Sequence, residues 1–277
     1  MSKFRKVAGA ALGSALLGSA CVVATATPAG AIVGGFAGSK RGKSLAPAVV
    51  RLAAKDGWRD PGVNCTGTLI ADRWVVTAQH CTNKGEKQGR PYRASKITVY
   101  VNTSARNAAQ SRTASEVWRL DGYDERSGVG DIALLKLSKP VAGVTPVRIG
   151  AAPIPAGTNA YVYGFGETAD GRGDRQSLPR VAEVKVASPR SLQAPCRLPG
   201  QVTYVTSVNG GTARGDSGGP TLEWSAGVPT LFAVTGGSFD RTTCRGGKVS
   251  ATWVGLYNRV DRRSAAWHFL RAHVGGL

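Results

Sequence analysis

Short apolar or alternating runs, most of them separated by Gly, Asn, Asp or Pro, recur along this 277-residue chain. They fall at 46–52, 67–70, 74–77, 97–101 and 132–137. After a Pro- and Gly-rich stretch at 140–157 they resume at 160–163, 181–186, 231–234 and 252–257. Runs this short, with turn residues between them, predict many short strands rather than alternating strand and helix units. A sandwich or a pair of barrels satisfies such a pattern. Only the segment 262–273 has helical spacing. There Ala265, Ala266, Phe269, Leu270 and Val274 recur behind Asp261, a capping residue.

The first residues read as an export signal. Lys3, Arg5 and Lys6 precede an uncharged stretch from Val7 to Ala24 rich in Ala, Gly and Ser, and small-x-small cleavage sites follow. A membrane anchor is the competing reading of such a run, but small residues make this one weakly apolar. Cys21 lies inside the signal, with Gly18 where a lipoprotein site would carry Leu. Cleavage after Ala31 would free Ile32 directly, whereas cleavage after Ala26 would leave a pro-segment, 27–31. The expected organisation is therefore a signal at 1–31, or 1–26 plus that pro-segment, followed at 32–277 by one large domain or two small ones sharing a cleft. No other segment is apolar enough to suggest a membrane span. The terse leader and the lack of a long pro-segment suggest bacterial export.

Four cysteines remain beyond the leader: Cys65, Cys81, Cys196 and Cys244. An exported chain meets an oxidising space, so an even count predicts two disulfides, with three connectivities open. The 36 Lys and Arg against 17 Asp and Glu give a formal charge of +19, and about +16 without the leader. Such a surface attracts polyanions by charge alone. The cations are scattered, and no nucleic-acid fold signature accompanies them, so no specific nucleic-acid partner is expected.

The strongest local signal is Gly215-Asp216-Ser217-Gly218-Gly219-Pro220. Gly and Pro make turns everywhere. A turn alone, however, does not require the upstream "VVTAQHC", which holds the one histidine outside the C-terminal segment. Nor does it require "DIALLKL", where Asp131 precedes an apolar strand. Together these stretches resemble the chymotrypsin/trypsin family of serine proteases from Ile32 to the C-terminal helix. The order His80, Asp131, Ser217 is the order of that family. The general template for such a triad is drawn from this same family, so the roles below are carried over.

The resemblance implies an all-β fold of two antiparallel six-stranded β-barrels packed face to face. The first would span about 32–140 and the second about 141–260, with a C-terminal helix at about 262–273 lying across the second. Ser217 is implied as nucleophile, His80 as general base and acid, and Asp131 as the group that fixes the imidazole. The N–H groups of Gly215 and Ser217 would form the oxyanion hole. Ile32 would supply a buried terminal amine paired with Asp216, and Gly34 and Gly35 would let the chain turn inward. Gln79 departs from the family, which has a small residue before the histidine; a longer amide there either crowds the site or adds a hydrogen bond.

For specificity, the resemblance places Gly211 at the base of the pocket and Thr235, Gly237 and Gly255 along its walls. The family's Ser-Trp-Gly wall reads Thr235-Gly236-Gly237 here, and Thr235 would support Asp131 with its hydroxyl. An uncharged base implies cleavage after aromatic or large apolar residues. Cleavage after Arg or Lys, with Asp240 folded into the pocket, is the alternative. Cys65 and Cys81 match the family bridge beside the histidine, which leaves Cys196 with Cys244; Ala213 stands where a further family cysteine would be. No cofactor or metal is expected. The implied partners are protein or peptide substrates and a protein inhibitor. An Arg-Gly-Asp at 172–174 carries the other hypothesis, a basic binding or adhesion protein on a protease scaffold. His268 and His273 read as structural.

Overall fold

The computed structural model describes residues 32–33, 36–37, 48–86, 89–101, 110–168, 178–195, 197–225, 227–246 and 249–277. The leader with both cleavage sites, Gly34, Gly35, Cys196 and the tripeptide at 172–174 lie outside them.

Two closed, six-stranded antiparallel barrels make up the fold. The first is built from β2 (Val49–Ala54), β3 (Val63–Ala71), β4 (Trp74–Thr77), β5 (Ile97–Val101), β6 (Gln110–Arg119) and β7 (Ala133–Leu137), in the order β2-β3-β4-β7-β6-β5. The second uses β9 (Asn159–Gly164), β10 (Arg180–Ala187), β11 (Val202–Ser207), β12 (Pro220–Ser225), β13 (Val228–Asp240) and β14 (Trp253–Arg259). It runs β10-β11-β14-β13-β12-β9 and closes through β9 and β10. Two short strands hang on the second barrel: β1 (Phe36–Ala37) on β10, and β8 (Arg148–Ile149) parallel to β13.

Side-chain period explains why these segments pair. In β5, Ile97, Val99 and Val101 are buried while Thr98 and Tyr100 lie partly exposed, the alternation of a strand with one face on a core. Closure leaves neither barrel a free edge among its six strands. In β6, by contrast, only Ala114 is fully buried along ten residues. Its place between β5 and β7 comes from backbone pairing, with a bulge between Ala114 and Glu116.

The C-terminal helix, Ala265–His273, packs on the first barrel and not across the second as expected. Ala266, Trp267, Leu270 and Val274 belong to the same buried cluster as Leu69, Ile70 and Val147. The cause is aromatic. Trp74 of β4 and Trp118 of β6 lie 5.3 Å apart, and His273 stacks 5.0 Å from both Trp118 and Phe269. Ser264 caps the helix start by accepting from Trp267 N–H, and His273 Nδ1 lies 2.9 Å from the Phe269 carbonyl at its end. Both C-terminal histidines are thereby structural or exposed, as their spacing suggested.

Trp267→Ala should destabilise the protein by about 3–5 kcal/mol in urea unfolding. Hydrogen exchange should show the lost protection in β4 and β6; loss confined to β11 and β14 would contradict this packing.

Candidate active site

His80 sits in a 3-10 turn, Gln79–Thr82, that begins one residue after β4. Three contacts hold this turn. A disulfide joins Cys81 to Cys65 on β3. Arg119 of β6 donates from Nε to Thr82 Oγ1 at 2.9 Å and from a terminal nitrogen to Thr82 O at 3.1 Å. Asp131, two residues before β7, accepts from the backbone N–H of His80 at 2.9 Å and lies 2.6 Å from His80 Nδ1. Asp131 is buried, and each of its oxygens meets one of these His80 nitrogens. With Nδ1 facing the carboxylate as a donor, the neutral ring keeps Nε2 as its acceptor.

The predicted hydroxyl support from Thr235 is not found: Thr235 Oγ1 is buried and has no hydrogen-bond partner among the described residues. Both contacts recorded for the carboxylate therefore come from His80 itself. Burial, and next the charge of Asp131, push the Tyr123 phenol well above its ordinary value, so Tyr123 stays a neutral neighbour. The Gln79 amide oxygen is likewise buried and has no hydrogen-bond partner among the described residues.

Ser217 lies in a tight loop whose backbone is tied on several sides. Gly219 N–H donates to Asp216 O at 2.9 Å, and Gly218 N–H to Thr235 O at 2.7 Å. Gly215 and Gly218 have φ of +97° and +81°, values other residues adopt only with strain. A Cβ on Gly218 would also collide with Thr77 Oγ1 and the Thr66 carbonyl. Glu167 N–H donates to Arg214 O at 2.8 Å. In a planar trans peptide the C=O and N–H point opposite ways, so this bond turns the Gly215 N–H away from Glu167.

The loop is fastened to the first barrel by one residue. Thr66 of β3, fully buried, donates its N–H to Ser217 O at 2.8 Å and its hydroxyl to Gly215 O at 2.9 Å. The same hydroxyl accepts from Phe165 N–H at 3.0 Å. Cys81 Sγ lies 3.6 Å from Ser217 O, which brings the loop against the turn that carries His80. A second fastening runs the other way. Asn258 of β14, also buried, accepts from Gly130 N–H and donates to Gly128 O, both at 2.9 Å, just before Asp131.

Ile32 and Asp216 are both fully buried. Ile32 is fully buried in a cluster with Val162, Val184, Trp253 and Tyr257. Its φ of +59° is unusual for a β-branched residue. The neighbouring Val33 carbonyl accepts from Gly211 N–H at 3.0 Å. Asp216, also fully buried, accepts from Gly166 N–H and Ala213 N–H, both at 2.8 Å. Burial chiefly, and also the Asp216 charge, push the nearby Tyr257 phenol far above its ordinary value against the bond it makes with Thr212.

A cleft of about 530 Å³ opens beside His80 and Asp131, bordered by Gly236, Gly237, Phe239 and Leu256. Of the residues assigned to the pocket, Gly237 reaches this cleft. Gly211 lies against the Trp253 ring, 2.9 Å from where a Cβ would stand, and Gly255 against Tyr257. Thr235 is buried beside Gly236. Asp240 is committed to its own loop: the hydroxyls of Thr242 and Thr252 and the Thr242 and Thr243 N–H groups all donate to it. These bonds, the Thr242 and Thr252 hydroxyls foremost, hold its carboxyl well below the usual range. Cys244 is disulfide-bonded. Cys65, His80 and Cys81 gather sulfur and nitrogen within 4.8 Å, but the disulfide leaves no thiolate there for a metal.

Sequence reasoning did not find Thr66, Asn258, Glu167 or Arg119. Thr66 sits one residue after a predicted cysteine, yet nothing local marks its hydroxyl; its partners are 99 and 149 residues away.

A protein-family model described as Trypsin matches residues 32–267. The chain is 32% identical over 173 residues to Serine protease 1 of Rattus norvegicus and 30% identical over 173 residues to Trypsin of Xenopus laevis. It is 32% identical over 169 residues to Serine protease 1 of Homo sapiens. Each alignment covers 57% of this chain and 64%, 65% and 64% of the respective relative, so the chain spans just under two thirds of their lengths.

Thr66→Val would leave Phe165 N–H and Gly215 O unpaired in a buried place, an expected loss of about 1–3 kcal/mol. Thr66→Ser should recover most of it. A shift in urea midpoint without a change in slope is the readout; equal stability of the Val and Ser variants would remove the hydroxyl from the account.

Proposed function

The chain belongs to the trypsin family, and from that premise we propose that it is an exported serine endopeptidase working through Ser217, His80 and Asp131. The carrying observation is the His80–Asp131 pair at 2.6 Å beside a Ser217 loop fastened to the same barrel through Thr66. His80 Nε2 takes the Ser217 proton as the oxygen attacks the scissile carbonyl, then returns it to the departing amine. Water next attacks the acyl-enzyme along the reverse path. Asp131 stabilises the ring when it becomes a cation. The Gly215 and Ser217 N–H groups receive the developing oxyanion, a donor typically contributing about 2.7–4 kcal/mol. The bond from Glu167 to Arg214 O supports that orientation of Gly215.

Cleavage after aromatic or large apolar residues is the favoured specificity. Gly211 carries no charge and packs on Trp253, and the hydrogen bonds around Asp240 leave it poorly suited to receive a basic side chain. Activation rests on Ile32: a freed Ile32 amine would pair with Asp216, and the burial of both residues supports that reading. Domain limits of about 32–140 and 141–260 belong to the same reading. The Cys196–Cys244 pairing belongs to the same reading, as do a protein inhibitor and attraction to polyanions. Among the described residues no helix is long and apolar enough to cross a membrane. Export rests on the leader, whose brevity favours a bacterial cell, although the relatives compared come from animals.

A peptide-library profile of the exported protein should show cuts after Phe, Tyr or Leu. Ser217→Ala should lower kcat by at least about 10⁴-fold. Cuts after Arg or Lys would keep the triad and reverse the pocket assignment; equal cutting by the variant would reject the mechanism.

The pH profile should be bell-shaped, rising as His80 loses its proton and falling as the Ile32 amine loses its own. N-terminal sequencing should read Ile-Val. A Thr27 terminus on fully active protein, or a rate flat through the alkaline range, would reject the activation scheme.

A further inference from the structure

Two loops meet beside the cleft and form a basic surface with an exposed aromatic residue. One is the β2–β3 connection, 55–62, and the other comprises the segments 84–86 and 89–96 that follow the His80 turn. They are locked together. Lys84 Nζ lies 2.6 Å and Lys96 Nζ 3.6 Å from the two Asp56 oxygens. Tyr92 donates its hydroxyl to Asp60 at 2.8 Å, and Lys55 N–H donates to Lys96 O at 3.2 Å.

The two acids of the 55–62 loop are therefore occupied between the two loops. Asp56 is held below the usual carboxylate range by Lys84 first, and Asp60 by the Gly62 N–H first. Lys55, Arg59, Arg90 and Arg93 remain exposed and, among the described residues, form no ion pair with an acidic side chain. Trp58 is 82% exposed, with the Arg59 guanidinium 4.7 Å from its ring. A lone surface apolar residue needs no explanation. A tryptophan this open, amid cations without acidic partners on a locked loop pair, has the makings of a binding anchor.

The surface borders the site. Gly85 lines the cleft next to His80. The β2–β3 connection leads into Val63, and two residues later the same strand carries Cys65 and Thr66. We propose that this surface docks acidic polypeptide segments of protein substrates, an inference that rests on the endopeptidase reading. Two observations favour polypeptide over nucleic acid. The surface is continuous with the cleft that would hold the rest of the same substrate chain. Four cations without acidic partners also fall short of the roughly six to ten phosphate contacts typical of strong polyanion binding.

Docking at such a surface should raise the effective concentration of the scissile segment and steer encounter. Model peptides with one cleavable bond and a six-residue Asp/Glu tail, at either end in turn, should be cut about tenfold more efficiently than Gly/Ser-tailed ones at low salt for one placement. The gain should vanish at high salt. Arg59→Glu with Arg90→Glu and Arg93→Glu should abolish it, Trp58→Ala should weaken it, and a short untailed peptide should be cut unchanged by all variants. Binding of the fluorescent acidic peptide to full-length Ser217→Ala protein, by anisotropy, separates docking from catalysis. Salt-sensitive binding lost in the charge reversal would support the surface even if no peptide were cut. Binding unaffected by the reversal, or tighter binding of a single-stranded oligonucleotide at the same salt, would overturn it.

Discussion

Two hydrogen-bonded staples cross the seam between the barrels in opposite directions, and the geometry of the whole site hangs on them. Thr66, from the first barrel, holds the backbone of Gly215 and Ser217 in the second. Asn258, from the second, holds Gly128 and Gly130, the approach to Asp131 in the first. Each side of the constellation is thus positioned by the opposite barrel. A slide of one barrel against the other would leave several buried backbone groups unpaired at once, and each such group is costly. The staples act on the main chain, so they constrain the loops without occupying the cleft.

Charge burial follows the same economy of contacts. Asp131 and Asp216 are both almost wholly buried, and each is met by two N–H groups within about 3 Å. A carboxylate so placed would otherwise meet a penalty of several kcal/mol. The two environments differ in kind. Asp216 is gripped by rigid backbone donors, while one donor of Asp131 is a ring that can itself become charged. The first arrangement fixes a loop; the second places a carboxylate where it can stabilise a protonated ring.

Much of this was legible in the chain. Alternation in 97–101 and 181–186 and the flanking turn residues gave strands where strands occur, and the resemblance supplied the closure into barrels. β6 escaped because ten residues with one fully buried side chain carry no apolar period. The helix was placed on the wrong barrel because its spacing reveals an apolar face but not its partner; Trp74 and Trp118, distant in sequence, decide that. Thr235 illustrates the limit of carrying a role over by position, since its hydroxyl is present and unpaired. Thr66 and Asn258 illustrate the converse, since long-range contacts to backbone leave no pattern in the sequence.

The torsion of Ile32 has a thermodynamic consequence for the proposed activation. A φ of +59° on a β-branched residue stores about 1–3 kcal/mol. That angle exists only while Ile32 is joined to the residue before it, because φ is measured from the preceding carbonyl carbon. Hydrolysis of the 31–32 bond abolishes the torsion along with the bond, and the stored energy leaves with it. Rejoining the ends would have to recreate it, at a bias of about five- to 150-fold. Under the proposed activation, scission at this point would act as a ratchet, its direction favoured by a single backbone angle.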